Sequence, residues 1–323
     1  MKKQSLALVL IVVLILGGCQ RSSNFIFSYQ EHISSSNNDT GIDLSENNFF
    51  SQSIVTISDE AYVSDNELIG STAALLFDIS NSKAIYYKNP YERLYPASLT
   101  KLMTALVVLK RGELTDSVTI SHNAANISVP GAKVCGFREG DIVSLDSLLH
   151  CLLIYSGNDA GIAIAEHLSG SEEGFVKIMN SEALKLGASH TNFVNSHGLH
   201  DDNHYSTAYD MYLIFNELIQ YDVFVNIINQ DSYTASFKDK DGKVKELNFK
   251  TTNLYLRNEK EAPEGVTIVG GKTGVTSKAG NCLVLLLKDS NNVQYISLIL
   301  KATSRDQLYS DMDSLFPYIV EEN

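Results

Sequence analysis

The sequence is organised around the run Pro96-Ala97-Ser98-Leu99-Thr100-Lys101-Leu102-Met103-Thr104. Proline is favoured in the first turn of a helix, where its missing N–H costs nothing. An apolar pattern on most sides continues to about Lys110, which predicts a buried helix ending at Gly112. Because positions i and i+3 share one helix face, the Ser98 hydroxyl and the Lys101 amine are expected within hydrogen-bond reach.

A serine and a lysine in this arrangement can form a nucleophile and its base. A serine hydroxyl is a weak nucleophile unless an adjacent base takes its proton. A lysine can be that base when burial lowers its pKa, and Leu102, Met103 and Leu106 supply apolar surroundings. Backbone N–H groups at the helix start can stabilise an oxyanion. Alone, this spacing is weak evidence, because it occurs often by chance.

Two later motifs can face the same cleft. Ser156-Gly157-Asn158 interrupts a helical pattern over residues 144–168, so its hydroxyl can relay a proton and its amide can hold a substrate amide and the lysine. Lys272-Thr273-Gly274 follows Gly270-Gly271. Glycines in a strand allow close backbone approach, so a peptide can add alongside as a further strand. The lysine gives positive potential there, and the threonine hydroxyl can bind a carboxylate.

The remaining patterns predict a mixed α/β (α+β) fold. Strands are predicted at residues 71–78, 84–87, 267–269, 282–287 and 293–300. Helices are predicted at residues 144–168, 172–187 and 207–221, with a closing helix at the end. Strands at both ends and helices between them predict a sheet built from distant segments and a helical insert.

The net charge of −13 at pH 7 limits the classes of partner that the chain can bind. Nucleic acid rewards a basic face, so it is excluded as a partner, and a basic membrane-binding surface is excluded with it. Apolar residues make up 44 % of the chain, which is enough for a full core.

The first 18 residues predict a secretory signal. A positive start, Met1-Lys2-Lys3, precedes an apolar run of about 11 residues, whereas a spanning helix needs roughly 20. The run ends in Leu16-Gly17-Gly18-Cys19, which resembles the lipobox of bacterial lipoproteins. We therefore expect a lipid on Cys19 that holds the chain to the membrane outside the cytoplasm; an uncleaved anchor is the alternative. Residues 19–65, rich in Ser and Asn, are predicted to form a flexible spacer.

Longer runs around the three motifs carry a family resemblance. They are Pro96 to Thr104, Ser156-Gly157-Asn158-Asp159-Ala160, Phe193-Val194-Asn195-Ser196-His197-Gly198-Leu199 with His204 to Ala208, and Gly271-Lys272-Thr273-Gly274 through Gly280. Together and in this order they resemble the serine D-Ala-D-Ala carboxypeptidases of peptidase family S11, the low-molecular-mass penicillin-binding proteins. The resemblance covers residues 68 to 318 and implies a β-lactamase/transpeptidase-like domain over 66–323. Such a domain is an antiparallel sheet flanked by helices, with an inserted helical subdomain.

The resemblance also implies roles for particular residues. Ser98 attacks the carbonyl between the two D-alanines of a peptidoglycan stem peptide, Lys101 takes its proton, and Ser156 with Lys272 returns a proton to the departing D-alanine. The backbone N–H groups of Ser98 and Val275 form the oxyanion hole.

Substrate binding is implied for a second set, Asn158, Lys272, Thr273, Gly274 and Val275. In this set Asn158 orients the donor peptide and Thr273 binds the terminal carboxylate. β-Lactam antibiotics are implied as covalent inhibitors at Ser98, and no cofactor is implied.

The chain departs from the family near its end. The family commonly carries an arginine there that helps bind the carboxylate, and an ungapped comparison places Leu308 at that position, with Arg305 one turn earlier as a replacement. Many relatives also have a C-terminal β-domain and an amphipathic anchor. We expect the lipid on Cys19 to replace that anchor.

Other functions stay open at this point: D,D-endopeptidase or transpeptidase activity, a serine β-lactamase, or a non-catalytic β-lactam-binding module. A β-lactamase needs a carboxylate for its deacylating water, typically about 34 residues after Asn158, where Asn192 stands. Glu166 is nearer in sequence and is interpreted as structural.

A zinc site and a disulfide are weaker alternatives. The zinc ligands would be His197, His200, Asp201, Asp202 and His204, in a segment that lacks H-E-x-x-H. That segment is interpreted instead as a loop leading into a helix capped near Ser206, and we expect no metal. Cys135, Cys151 and Cys282 form no C-x-x-C pair. They are interpreted as small buried apolar residues, with one disulfide among them left open.

Overall fold

The computed structural model describes residues 68–320; the predicted signal, Cys19 and the spacer lie outside them. The main sheet has the five strands β1 (Ala73–Asp78), β2 (Lys83–Lys88), β7 (Thr267–Thr276), β8 (Gly280–Lys288) and β9 (Gln294–Ala302). Their order is β2-β1-β9-β8-β7, and every neighbouring pair is antiparallel. Strands from distant parts of the chain therefore share one sheet, as predicted, and β7 lies at its edge.

Strand β1 shows why these strands are apolar without alternation. All six of its residues are buried. Leu75 and Phe77 belong to the core cluster that contains most of the helices, whereas Ala74 and Leu76 belong to a cluster with the C-terminal helices. Because successive side chains point to opposite faces, a strand covered on both faces is apolar throughout.

Helices cover both faces of the main sheet. The helices that precede β7 are α1 (Thr100–Arg111), α2 (His122–Ala125), α3 (Leu145–His150), α4 (Asn158–Ser169), α5 (Glu172–Lys185), α6 (Ala208–Leu218) and α7 (Asp222–Ile228). The helices that follow β9 are α8 (Arg305–Asp313) and α9 (Pro317–Val320). Within residues 68–320, none of these helices has both the length and the apolar character needed to cross a membrane.

Helix α1 is the central helix, as its apolar pattern predicts. Nine of its twelve residues are buried. Its first turn is replaced by a short 3-10 helix, Ala97–Leu99, and it ends at Gly112, whose N–H donates to the Val108 carbonyl at 2.7 Å. The predicted helix is therefore confirmed, with a tighter start than expected.

A second antiparallel sheet, with no counterpart in the sequence analysis, lies among the helices. Its strands, in the order β3-β4-β5-β6, are β3 (Ser117–Thr119), β4 (Ile142–Ser144), β5 (Ser232–Lys238) and β6 (Val244–Lys250). Strands β5 and β6 expose most of their residues, so they lack the continuous apolar run that marks the main sheet.

Side-chain caps fix the starts of several helices. The side chains of Ser144, Ser171 and Ser304 accept the backbone N–H three positions later at the starts of α3, α5 and α8. At the start of α6 the cap is Thr207, which accepts from the Asp210 N–H at 3.0 Å, so the cap expected near Ser206 lies one position later.

Gly198 sets how closely two segments approach each other. It has a φ of 85°, in the region that favours glycine. A Cβ added at this position would lie 1.9 Å from the Ala97 carbonyl oxygen, which is backbone and cannot move aside freely. The loop that contains Gly198 therefore packs directly against the turn that precedes Ser98.

We predict that Gly198→Ala destabilises the protein more than Gly242→Ala. Gly242 has a similar φ of 80° but nothing within 4 Å of an added Cβ, so both variants carry the backbone cost of about 1–2 kcal/mol. Only Gly198→Ala adds the clash, expected at about 1–3 kcal/mol more. Urea unfolding of both variants measures the difference. If both variants lose the same free energy of unfolding, the backbone around Ala97 and residue 198 accommodates the added methyl group without an energetic cost.

Candidate active site

Ser98 lies in the 3-10 turn rather than in the regular helix. Ala97, before it, has a φ of 47°, a left-handed conformation that residues other than glycine rarely adopt. The Leu99 N–H donates to the Pro96 carbonyl at 3.1 Å and closes the turn. Ser98 is half-buried and lines a cleft. The turn thus presents the hydroxyl to the cleft while the helix below it stays in the core.

The Lys101 amine is wholly buried and surrounded by neutral oxygens. Its Nζ lies 3.2 Å from Ser98 Oγ and 2.7 Å from Asn158 Oδ1, and it donates to the His197 carbonyl. A neutral amine has two N–H groups and one lone pair. With Asn158 and His197 accepting the two N–H groups, the lone pair faces the Ser98 hydroxyl. This is the geometry that a general base requires.

Burial lowers the pKa of Lys101 from 10.5 to about 7, because desolvation penalises the ammonium form. The negative charge of Asp159 partly opposes this shift, and the positive charge of Lys133 adds to it. A large fraction of Lys101 is therefore neutral near pH 7, as the proposed pairing of a serine with a lysine base demands.

The second motif follows a π-helical turn, Cys151–Tyr155, that ends α3. Ser156 has a φ of 75°, and its N–H donates to the Cys151 carbonyl at 3.0 Å, as does that of Gly157 at 3.2 Å. The left-handed residue breaks the helix, so that Asn158 begins α4 pointing at Lys101. The predicted interruption of the helix is confirmed.

The third motif lies on the edge strand β7. Lys272 is buried, and its Nζ donates to Ser156 Oγ at 2.9 Å and to the Thr273 carbonyl at 2.9 Å. Gly274 packs against the turn that carries Ser98: a Cβ there would lie 3.0 Å from the Ser98 nitrogen. The next residue, Val275, is 63 % exposed. The strand therefore forms the wall opposite Ser98 and leaves the side of Val275 open to a ligand.

Lys272 also has a pKa well below its usual value. Burial is the main cause, and the positive charges of Lys101 and Lys133 lower it further. Two buried amines in one site repel each other when both are charged. The site therefore favours states in which at least one of them is neutral.

One cleft of about 460 Å³ joins residues from all three motifs. It is lined by Ser98, Gly131, Ala132, Lys133, Ser156, Asn158, Gly198, Leu199, Thr252, Thr273, Gly274, Val275, Thr276, Asn281, Cys282, Arg305, Leu308 and Tyr309. Lys101 and Lys272 lie just behind this surface and reach it through their contacts with Ser98 and Ser156. The structure thus brings every predicted site residue of the described chain into one place, and both Arg305 and Leu308 line the cleft.

The loop that carries Gly131 to Lys133 was not singled out in the sequence, although it forms one rim of the cleft. Asp159 ties it down by accepting the N–H groups of Cys135 and Gly136, both at 2.9 Å. The Asn158 N–H donates to the Lys133 carbonyl at 2.8 Å. Asp159, which follows the second motif, could have indicated this loop from the sequence, because a buried carboxylate needs hydrogen-bond donors nearby.

The segment from Val194 to His204 packs against the turn that carries Ser98. His204 Nδ1 accepts the Val194 N–H, so its Nε2 is left to donate to Thr100 Oγ1 at 2.7 Å. His197 Nδ1 accepts the Leu199 N–H. Burial lowers the pKa of His197 to about 3 and that of His204 to about 4. Both imidazoles are therefore neutral at physiological pH.

The zinc alternative finds no support in this arrangement. His200 pairs with Asp202 at 3.2 Å and packs edge-on against Tyr95, while His197 and His204 face protein groups of their own. Among residues 68–320, no three His, Cys, Asp or Glu side chains are grouped to hold a metal ion.

The cysteines and Glu166 have structural surroundings and lie outside the catalytic proposal. Cys135, Cys151 and Cys282 are buried free thiols. Glu166 accepts from Asn123 Nδ2 at 3.0 Å and does not line the cleft.

Known proteins resemble the chain at two levels. A family model described as D-alanyl-D-alanine carboxypeptidase matches residues 51–304. D-alanyl-D-alanine carboxypeptidase DacF of Bacillus subtilis is 35 % identical over 239 residues, which cover 72 % of this chain and 57 % of that protein. The chain thus spans little more than half the length of this relative.

Solved structures confirm the predicted fold. The DD-transpeptidase of Streptomyces K15 superposes with a TM-score of 0.73 at 27 % identity, covering 78 % of this chain and 98 % of that one. Penicillin-binding protein 5 of Haemophilus influenzae superposes with a TM-score of 0.69 at 32 % identity, covering 77 % of this chain and 70 % of that one. These matches establish the β-lactamase/transpeptidase fold.

The family match covers most of the chain, and its three motifs meet in one cleft. The chain belongs to the D-alanyl-D-alanine carboxypeptidases of peptidase family S11.

Proposed function

We propose that this chain is a serine D-alanyl-D-alanine carboxypeptidase that removes the terminal D-alanine from peptidoglycan stem peptides. The observation that carries the proposal is the buried Lys101 amine, whose pKa is lowered to about 7 and whose Nζ lies 3.2 Å from Ser98 Oγ. Such a pair can generate a nucleophilic serine at neutral pH without a histidine or a metal.

Acylation follows from this geometry. Lys101 takes the proton from Ser98 as Oγ attacks the carbonyl carbon between the two D-alanines. The carbonyl oxygen becomes an oxyanion, which the backbone N–H groups of Ser98 and Val275 stabilise. The close packing of Gly274 on the Ser98 nitrogen supports this role, because Val275 is the next residue along the strand.

Departure of the D-alanine needs a proton on its nitrogen. Ser156 Oγ accepts from Lys272 Nζ at 2.9 Å and lines the cleft, so its own hydroxyl proton can pass to the leaving amine while Lys272 replenishes it. Asn158 holds the donor peptide, and water then hydrolyses the acyl-enzyme. Penicillins would acylate Ser98 by the same attack and leave slowly.

The terminal carboxylate is proposed to bind at Thr273. Its hydroxyl lines the cleft, and Arg305 brings a positive charge to the same surface. Arg305 stands at the start of α8, one turn before the position where the family arginine was expected, and Leu308 at that position is almost fully buried. Arg305 is therefore the better candidate for the missing cation.

Two alternatives use the same acyl-enzyme. Transfer to an amine instead of water would make the chain a transpeptidase, which the likeness to the Streptomyces K15 enzyme supports, and an endopeptidase would attack a related bond. A β-lactamase is disfavoured, because within residues 68–320 no Asp or Glu lines the cleft to activate a deacylating water. A non-catalytic binding module is disfavoured by the complete set of motif side chains.

The location is also a proposal. The lipobox-like run ending in Cys19 supports a lipoprotein held to the outer face of the cell membrane. The residues between Cys19 and the catalytic domain, 19–65, would span the gap between the membrane and the cell wall.

We expect Ser98→Ala to abolish release of D-alanine from diacetyl-lysyl-D-Ala-D-Ala. Removing the nucleophile should lower kcat by at least about a thousandfold. The matched control is Ser80→Ala, an exposed serine in a surface turn, which should keep full activity. Adding a free amine acceptor separates hydrolysis from transfer by the product formed. Undiminished release by Ser98→Ala would remove Ser98 from the mechanism.

The rate of Ser98 acylation should depend on pH through Lys101. Below pH 7 the amine becomes protonated and cannot take the serine proton, so the rate should fall about tenfold per pH unit and level off above pH 7. Intact-mass measurement of the benzylpenicillin adduct between pH 5 and 9 gives this profile. His197 and His204, with pKa values of about 3 and 4, stay neutral throughout. A midpoint near 10, the usual lysine value, would contradict a neutral base.

Replacing Cys19 should release the protein from the membrane. The Cys19→Ser variant should lose labelling by radioactive palmitate and move to the soluble extracytoplasmic fraction, because the acyl chains supply the membrane affinity. Ser22→Ala, three positions on, should stay labelled and membrane-bound. Retention of Cys19→Ser in the membrane fraction would indicate an uncleaved anchor instead.

A further inference from the structure

Thr252 is a cleft residue that belongs to none of the three motifs. It lies just after β6, in the segment that connects the second sheet to the edge strand β7. Its side chain lines the cleft, and its Oγ1 lies 2.5 Å from the Oγ1 of Thr273. The two hydroxyls therefore form a hydrogen-bonded pair on the wall opposite Ser98.

The protein holds Thr252 in place from both sides. The Thr251 N–H donates to the Asp231 carbonyl at 2.7 Å, and the Leu254 N–H donates to the Tyr309 hydroxyl at 2.9 Å. The neighbouring Asn253 is buried, and its Oδ1 accepts the Tyr255 N–H at 3.1 Å. The position of the Thr252 hydroxyl is thus fixed by the backbone around it.

A pair of hydroxyls carries two protons, and the bond between them uses one. When Thr252 donates to Thr273, the Thr273 proton is left to point into the cleft. A carboxylate accepts hydrogen bonds and cannot donate them, so a donor aimed in advance suits it. Arg305 on the same cleft surface supplies positive charge. A C-terminal carboxamide is neutral and carries N–H groups of its own. The Thr273 hydroxyl and the charge of Arg305 therefore stabilise it less than they stabilise a carboxylate.

We propose that Thr252 is a positioning residue that aims the Thr273 hydroxyl at the free C-terminal carboxylate of the peptide and so sets the preference for a charged peptide end. This inference rests on the proposed peptidase function. It adds a residue outside the three motifs that acts through Thr273 and not on the reacting atoms.

The test compares two peptides that differ only at the C-terminus: diacetyl-lysyl-D-Ala-D-Ala and its C-terminal carboxamide. The readout is the ratio of their kcat/KM values. In Thr252→Val, which keeps the shape but lacks the hydroxyl, the preference for the free acid should fall about tenfold, mainly through KM. Thr252→Ser restores the hydroxyl and should restore the preference.

The matched control is Thr234→Val. The Thr234 hydroxyl also makes a short side-chain bond, to Asn248 Oδ1 at 2.6 Å, but it lies exposed on β5 of the second sheet. This variant should keep the wild-type ratio. If Thr252→Val lowers kcat/KM for both peptides by the same factor, or for neither, Thr252 has no part in carboxylate recognition and the inference is wrong.

Binding to the Ser98→Ala protein separates this inference from the proposed function. An NMR titration of Ser98→Ala with each peptide measures affinity without turnover. If wild type cleaves neither peptide but Ser98→Ala prefers the free acid and loses that preference with Thr252→Val, the carboxylate site stands and the peptidase proposal fails. If wild type cleaves neither peptide and Ser98→Ala binds neither, both are overturned.

Discussion

Burial of the Lys101 amine is the constraint on which the rest of the site depends. A charged ammonium in the core must be compensated, and all three of its hydrogen-bond partners here are neutral oxygens. Burial therefore shifts the equilibrium toward the neutral form, and only that form can take a proton from Ser98. Keeping the amine dry requires α1 to be the central helix, with nine buried residues. The two remaining acceptors come from elsewhere, the Asn158 side chain from α4 and the His197 carbonyl from the segment after α5. Ser98 and Lys101 are close in sequence, but the protonation state of the lysine depends on tertiary packing.

Two strained residues allow the three motifs to meet. Ala97 and Ser156 have left-handed backbones without being glycine, and each adjoins or belongs to a motif. Such conformations cost about 1–3 kcal/mol and persist only where the surroundings determine them. Close backbone packing does so at Ala97: Gly198 lies against the Ala97 carbonyl, and Gly274 lies against the Ser98 nitrogen. Glycines from two distant segments thus pack against the turn that carries Ser98 and hold its conformation.

The sequence could predict what depends on local pattern. The buried helix, the strands of the main sheet and the break at Ser156 all follow from periodicity and breakers, and the structure has each of them. It could not predict the His197 carbonyl as a ligand of Lys101, because every residue has a carbonyl. Thr252 was invisible for a similar reason: its partner is 21 positions away and only packing pairs them. The second sheet was missed because β5 and β6 are mostly exposed and polar. Its hairpin does carry a signal, since Asp241-Gly242 is a dipeptide favoured in tight turns.

The cleft differs in charge from the molecule that contains it. The chain carries a net charge of −13, yet Lys133 and Arg305 are the charged side chains on the described cleft surface, and both are positive. Exposed charges farther away than about 10 Å are largely screened at physiological salt, whereas groups lining a cleft are not. The positive side chains of the cleft can therefore attract an anionic peptide end, although the chain as a whole is acidic. Under the proposed function, the lack of Asp and Glu among the described cleft residues leaves Lys101 as the base for the water that would hydrolyse the acyl-enzyme.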